Sequence, residues 1–216
     1  MDIHASEKEQ LEAIKKWWKD NGSSIITGLL LGVSILLGGK AWFSYQETQA
    51  LSASNVYAQM MVAANNNEAE MVRKQASELI TNHTASAYAP LASLLLAKLA
   101  VQENELAAAQ AQLQWALDHA ASTEVKHTAR MRLLRVMIEQ QQYESAAQLL
   151  SAVTDPGAYR YLYSELEGDL AMAQNKPEQA AGAYKQALDQ MPAQAANQAF
   201  LTAKYENVSG AADPGQ

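Results

Sequence analysis

The sequence contains no cysteine and few residues that interrupt helices, with five prolines and ten glycines in 216 residues. The lack of cysteine excludes disulfide frameworks, thiol nucleophiles and cysteine-based zinc sites, so stability has to come from packing. Alanine, leucine and glutamine number 41, 25 and 20, against nine valines and seven isoleucines. This composition favours helix over strand, and we predict an all-α protein.

Positive charge is also scarce, with 16 Lys and Arg against 23 Asp and Glu and a net charge of −7. Beyond Lys40 the chain carries 11 basic and 18 acidic residues. A surface of this sign repels phosphate backbones, and no basic cluster is dense enough to override it. We therefore predict no nucleic-acid partner.

Groups that would carry catalysis are missing from the sequence. It contains no HExxH motif, no glycine-rich phosphate loop and no serine nucleophile elbow. Its four histidines lack the spacing of metal ligands, so we interpret them as surface or cap residues; they are His4, His83, His119 and His127. Glu165, Glu167 and Asp169 alternate along a helix and are expected to face solvent. These absences predict a non-enzyme without cofactor or metal.

One long apolar run is present, and it predicts a membrane anchor at residues 23–43. No charged residue occurs from Asn21 to Gly39, which is about the length of one bilayer crossing. Aromatic residues flank the run where such side chains prefer the two headgroup regions, namely Trp17, Trp18, Trp42, Phe43 and Tyr45. A core helix of a soluble protein would not need these flanks.

The distribution of lysine around the run predicts the orientation. Lys15, Lys16 and Lys19 precede it and only Lys40 follows closely, so the N-terminus is expected in the cytoplasm and the remainder outside it. A cleaved signal peptide is the competing interpretation, but the apolar run is long, and Gly39-Lys40-Ala41 is followed by the bulky Trp42 and Phe43, which makes a poor cleavage site. We expect an uncleaved anchor and an exported C-terminal domain, whose lack of cysteine would suit a bacterial periplasm.

Two further features belong to this N-terminal part. Ser24, Gly28 and Gly32 recur every four residues and predict a smooth helix face for contact with another membrane helix, although glycine is common in membrane helices in general. Residues 1–22 read as a cytoplasmic amphipathic helix with Ser6 and Glu9 as a capping box. The sequence from Asp20 to Gly22 is expected to end that helix.

The remainder of the chain, residues 44–208, carries an internal repeat. A small residue is followed four positions later by a large apolar one, at steps of 33, 37 and 34 residues: Ala76/Ile80, Ala109/Leu113, Ala146/Leu150 and Ala180/Tyr184. With Gly168 twelve residues before Ala180, this spacing resembles the tetratricopeptide repeat. We predict an α-solenoid of about four helix pairs, capped by the helix that contains Phe200, Leu201, Tyr205 and Val208. Residues 209–216 are expected to be a disordered tail.

The repeat register predicts which residues face the concave surface of the solenoid. We assign a partner-binding groove to eight apolar residues: Met61, Leu91, Leu94, Val101, Met131, Ile138, Leu162 and Met172. Lys98, Arg135, Glu165 and Asp169 are interspersed among them. Methionine suits adaptable apolar contacts. Two alternatives remain open: these positions are ordinary core residues, or the last helix of the chain fills the groove.

The stretch Trp-Trp-Lys-Asp-Asn-Gly at 17–22, directly before one glycine-rich span and a four-unit repeat domain, resembles the YfgM family. Members of this family are ancillary subunits of the Sec translocon of Gram-negative bacteria. The resemblance implies an inner-membrane protein that works beside SecYEG with the chaperone PpiD and assists secretory or outer-membrane client proteins. It also implies that the protein has no enzymatic activity. The alternative function is a non-catalytic scaffold or regulator of an envelope signalling or assembly complex.

Overall fold

The computed structural model describes residues 3–212 of the chain. These residues fall into two compact units, one ending at Ser52 and one beginning at Ala53. Within the described range every regular element is an α-helix, as the composition predicts, apart from a short 3₁₀ helix at Gly157–Tyr159. The helices are α1 Ile3–Asn65, α2 Ala69–Asn82, α3 Tyr88–Gln102, α4 Leu106–His119, α5 Thr123–Glu139, α6 Tyr143–Ser151, α7 Arg160–Ala173, α8 Pro177–Gln190 and α9 Gln198–Ala212.

Helix α1 contains the apolar run and is long and apolar enough to cross a membrane, with a mean hydropathy of 1.8 over its most apolar stretch. It is continuous through residues 20–22, so the break predicted there is wrong. The Asn21 side chain donates to the Trp17 carbonyl oxygen, one helical turn back, at 3.0 Å. Asn21 is thus accommodated in a continuous helix. A single glycine inside a helix costs only about 1 kcal/mol, so Gly22 does not stop it.

The C-terminal end of the chain is also more helical than its composition indicates. Helix α9 continues to Ala212, beyond the position at which the predicted disordered tail begins. Residues 213–216 of that predicted tail lie outside the described residues, as does the Ser6 side chain of the predicted capping box.

Four tight turns of one kind join the two helices of each pair and establish the repeat. In each turn one non-glycine residue has a positive φ of 58–60°: Asn67, Asn104, Gln141 and Asn175. The next residue donates its backbone N–H to a carbonyl oxygen five positions earlier, at 2.8–2.9 Å. This hydrogen bond satisfies a carbonyl at the helix end, and asparagine tolerates the left-handed conformation better than most residues. The recurrence of this turn confirms four helix pairs: the end of α1 with α2, α3 with α4, α5 with α6, and α7 with α8.

The alanines that revealed the repeat lie where paired helices approach most closely. All four are fully buried on the second helix of their pair: Ala76, Ala109, Ala146 and Ala180. A methyl group fills the small space between two close backbones without forcing neighbouring side chains off their rotamers. The sequence pattern therefore reports a packing constraint.

Gly168 on α7 shows the same constraint in a stricter form. A Cβ atom built at this position would overlap the ring of Tyr184 on α8. Tyr184 is 3% exposed and its hydroxyl donates to Asp169 Oδ1 at 2.8 Å. Burial beside this carboxylate raises the pKa of the Tyr184 hydroxyl well above its ordinary value. Glycine at 168 thus admits the tyrosine ring that holds α7 against α8.

The hydrophobic core of the second unit is divided along the array, as expected for a solenoid in which each repeat packs mainly on its neighbours. One cluster joins the end of α1 to α2 and α3, a second extends from α3 to α7, and a third joins α7, α8 and α9. In the third cluster Leu201 and Val208 of α9 are buried against α8, while Phe200 is 62% exposed. Helix α9 therefore covers the last pair, as its apolar spacing predicts.

Candidate partner-binding groove

The first helices of successive pairs form one face of the repeat domain. Helix α3 contacts α5, and α5 contacts α7, in addition to the contacts within pairs. Residues on the inner sides of α3 and α5 therefore line a common depression, and this is the surface on which the sequence predicts a groove.

The structure divides the eight predicted groove residues into three groups. Met61, Val101 and Met172 are exposed by 37–46%. Leu91, Ile138 and Leu162 are partly buried against the central core cluster. Leu94 and Met131 are each 7% exposed and belong to that cluster, so they do not offer a surface to a partner. The alternative that some of the predicted residues are ordinary core holds for these two, because they share the central core cluster with Leu113, Ala116 and Leu117 of α4.

A cavity of about 580 Å³ lies between α3 and α5, with the start and middle of α4 as its floor. We call it the α3–α5 cavity. Its apolar lining comes from Ala97, Val101, Leu106, Leu113 and Val136. Its volume is within the range of small ligand pockets, and it could hold one or two large apolar side chains.

Charged and amide side chains surround this apolar floor. Lys98 of α3 and Arg132 and Arg135 of α5 are exposed at the rim, with Glu139 the only anion of the lining. Gln102 and Asn104 contribute amide groups. None of the three cations takes part in any ion pair found among the described residues. The rim therefore carries two net positive charges in an otherwise acidic chain.

A second depression of about 250 Å³ continues from the α3–α5 cavity towards the first helix pair. Lys98 and Gln102 border both spaces. Ala64 and Leu95 contribute apolar lining to the second one, and Glu68 and Glu103 contribute carboxylates, of which Glu103 is paired with Arg73. The two depressions together give an elongated surface along α3, which an extended segment could follow.

At the fourth pair the face is occupied by the chain itself. Lys204 of α9 donates to Glu165 Oε1 at 2.8 Å and to Asp169 Oδ1 at 2.7 Å, and Asn197 donates to Glu165 Oε2 at 3.2 Å. Glu165 is 4% exposed and the Asp169 side chain 23%, so the expectation that these two face solvent is wrong, whereas Glu167 is exposed. Because Lys204 of α9 and the adjacent Asn197 cover this part of α7, the face is closed at the C-terminal end of the array, while the α3–α5 cavity stays open.

His127 is a core residue and corrects the interpretation of all four histidines as surface or cap residues. It is 5% exposed, its Nδ1 lies 2.7 Å from the Tyr163 hydroxyl, and its ring stacks on that of Tyr159 at 4.6 Å between centroids. Burial, aided by the nearby Arg130 guanidinium, lowers the pKa of His127 below its ordinary value. Among the described residues, no three His, Asp or Glu side chains are arranged to hold a metal ion.

The predicted membrane-contact stripe remains open to solvent in the chain. Ser24, Gly28 and Gly32 are exposed, and a Cβ atom added at either glycine would meet nothing within 4 Å. The use of this face in helix contact stays a prediction.

The sequence analysis missed Arg132, Leu106 and Val136 as parts of the site. Arg132 was detectable, because it lies one turn before Arg135 and a spacing of three residues places two side chains on one helix face. Leu106 and Val136 gave no such signal, since they reach the cavity from the second helix of a pair and from the buried side of α5.

Comparisons with known proteins agree with the architecture. The family model described as tetratricopeptide repeat-like domain matches residues 15–210. A protein of Escherichia coli (strain K12) named ancillary SecYEG translocon subunit is 30% identical over 86% of this chain and 88% of its own length. Proteins of the same name from Haemophilus influenzae and Neisseria gonorrhoeae are 26% and 25% identical, covering 87% and 96% of this chain and 91% and 100% of their own lengths.

No solved structure matches the chain significantly. The family of the chain is therefore assigned from the full-length sequence similarity, together with the long apolar helix and the four helix pairs. By all three criteria the chain belongs to the YfgM family of ancillary SecYEG translocon subunits, whose members carry a tetratricopeptide repeat-like domain.

Proposed function

We propose that this protein is an accessory subunit of the SecYEG translocon in a bacterial inner membrane. Its N-terminus lies in the cytoplasm, α1 crosses the membrane once, and the repeat domain is periplasmic. Support comes from the names of the related proteins and from the three lysines at 15, 16 and 19 before the apolar run.

The repeat domain assists exported proteins as a chaperone or as the partner of a chaperone such as PpiD. The observation that carries this proposal is the α3–α5 cavity, which combines an apolar floor with exposed Val101 at its edge. Such a surface binds apolar segments of many sequences because it places few geometric demands on them. The domain acts by binding and not by catalysis.

The membrane anchor gives weak binding a functional effect. Tethering two binding partners to one place converts their encounter into a near-intramolecular event, with an effective concentration in the millimolar range for short linkers. A client segment that emerges from the channel therefore meets the cavity repeatedly, even when a free segment would bind poorly.

The proposal is tested by purifying the full-length protein from membranes in a mild detergent and identifying its companions by mass spectrometry. Subunits of SecYEG are expected in the purified fraction. Recovery of a signalling or envelope-assembly complex at fixed stoichiometry, without channel subunits, would support the scaffold function instead.

The role of the groove is tested with a photo-crosslinking residue placed at single sites. Crosslinks to exported chains or to PpiD are expected from Val101 and Met61. Ala111 on α4 and Gln186 on α8 serve as matched controls, because both are exposed on the second helix of a pair. Equal crosslinking from the control sites would exclude the groove as the binding surface.

A further inference from the structure

We propose that the α3–α5 cavity selects extended polypeptide segments in which a large apolar residue is flanked by aspartate or glutamate. This inference rests on the proposed function and specifies the class of segment that the groove takes. The preference for acidic flanks follows from the positive charge at the rim of the cavity. A groove that bound apolar segments without selectivity would not need that charge.

The floor of the cavity accounts for the apolar part of the segment. Val101 is 46% exposed, and it lies over a floor that includes buried Leu113 and Val136. Covering such a surface with an apolar side chain contributes about 25 cal/mol for each Å² removed from water. A leucine- or phenylalanine-sized side chain from the segment fills the space between the two helices.

The rim accounts for the acidic part. Three of the eleven basic residues that follow Lys40 border this one cavity, namely Lys98, Arg132 and Arg135. No ion pair within the described residues neutralises them, in contrast to Lys204, which is held by Glu165 and Asp169. Their charges are thus available to carboxylates of a partner, while the acidic remainder of the domain repels such a partner elsewhere.

The placement of the cations favours side-chain carboxylates over a single chain terminus. Lys98 lies on the α3 wall, and Arg132 and Arg135 lie one turn apart on the α5 wall. Positive groups on both walls match carboxylates distributed along an extended segment, whose neighbouring side chains point to opposite sides. The side-chain amides of Gln102 and Asn104 lie at the same rim, where they are available to hydrogen-bond the main-chain groups of the bound segment.

The expected selectivity is moderate because the cations are exposed. An exposed ion pair changes an equilibrium by a factor of about 1.4 to 5, so two or three pairs give a preference of roughly ten-fold at low salt. The preference declines as the Debye length shortens from about 30 Å at 0.01 M to about 10 Å at 0.1 M ionic strength.

The experiment measures fluorescence anisotropy of labelled twelve-residue peptides bound to the full-length protein in detergent micelles. The peptides share one central Leu-Phe-Leu core and differ in flanks of glutamate, glutamine or lysine, each with an amidated C-terminus. A fourth peptide has glutamine flanks and an unblocked terminal carboxylate. The glutamate peptide is expected to bind about ten-fold more tightly than the glutamine peptide, and the lysine peptide more weakly than both.

Two double variants with the same change in net charge test the location. Lys98→Glu combined with Arg135→Glu is expected to remove the preference for glutamate flanks. Lys74→Glu combined with Lys185→Glu, at exposed positions on α2 and α8, is expected to retain it. Circular dichroism of both variants checks that the helices are intact, and binding of the glutamine peptide serves as the internal control for the apolar floor.

The possible outcomes distinguish the proposed selectivity from the apolar groove and from the translocon association. Equal binding of the glutamate and glutamine peptides, or an equal effect of the two double variants, overturns the selectivity while leaving an apolar chaperone groove in place. Tightest binding by the unblocked glutamine peptide shows a terminal-carboxylate site and also overturns it. Failure of every peptide to bind, with channel subunits still co-purifying, refutes the client groove but retains the translocon association.

Discussion

Replacing Gly168 with alanine reverses the usual effect of that substitution in a helix. An alanine in a helix interior is favoured over glycine by about 1 kcal/mol, so helix propensity alone predicts a more stable protein. The structure predicts the opposite, because the new methyl group would overlap the Tyr184 ring. That ring is buried and tied to Asp169, so it cannot swing away as the end of an exposed side chain could.

The magnitude follows from the balance of these effects. Overpacking a close-packed interior costs about 1–3 kcal/mol, and because the added methyl group would overlap ring atoms that cannot move, the cost at Gly168 is at the upper end, about 2–3 kcal/mol. Subtracting the propensity gain of about 1 kcal/mol leaves a net loss of about 1–2 kcal/mol. We expect Gly168→Ala to lower the free energy of unfolding by about 1–2 kcal/mol, a fall in Tm of about 2–8 °C for a domain of this size. The assay is thermal unfolding of the full-length protein in detergent, followed by circular dichroism at 222 nm.

The chain offers a matched control on the neighbouring helix. Gly182 lies within α8, is exposed, and has no atom within 4 Å of an added Cβ. Gly182→Ala is expected to stabilise the protein by about 0.5–1 kcal/mol through the same propensity term. In a Tyr184→Val background, which removes the ring, Gly168→Ala is expected to become neutral or stabilising. A Gly168→Ala protein at least as stable as the parent would refute the packing argument.

Three other perturbations have predictable outcomes. Lys204→Met leaves buried Glu165 without its cation and is expected to cost about 2–3 kcal/mol, less than the 3–5 kcal/mol of a fully buried pair because Lys204 is 21% exposed. His127 has a lowered pKa in the folded state, so the unfolded chain binds the proton first and stability falls as the pH drops below about 6.5. Gly28→Ile combined with Gly32→Ile is expected to weaken co-purification of any membrane partner by blocking close helix approach.

Each of these outcomes has a comparison that makes it decisive. The Lys204→Met effect should shrink when Glu165→Gln is present, since the uncompensated charge is then removed. A His127→Phe protein should lose the extra fall in stability below about pH 6.5; an unchanged slope would contradict the role of the buried imidazole. Recovery of membrane partners in full after substitution of both glycines would exclude the stripe as a contact surface.

Much of the architecture was predictable because it depends on local patterns. Helix composition, the uncharged run between Asn21 and Gly39 and the spacing of Ala76, Ala109, Ala146 and Ala180 each reflect a constraint that acts within one or two helices. The small residues recur because paired backbones approach closely at one point in every repeat, and that requirement appears directly in the sequence.

The predictions from the sequence were wrong for residues whose environment depends on a helix that is distant in the chain. Glu165 has the sequence context of a solvated carboxylate, yet Lys204 of α9 and Asn197, just before that helix, contact it from 39 and 32 residues away. His127 is buried because Tyr159, in the 3₁₀ helix before α7, and Tyr163 of α7 pack against it.

The amino-acid sequence by itself determined the helical class, the membrane anchor, the repeat and the family. Only the tertiary structure decided which groove residues are open, that Leu94 and Met131 belong to the core, and that the last helix closes the groove at its end. The physical reason is that periodicity assigns a residue to a face of its own helix, whereas exposure and charge compensation depend on which other helix packs against that face.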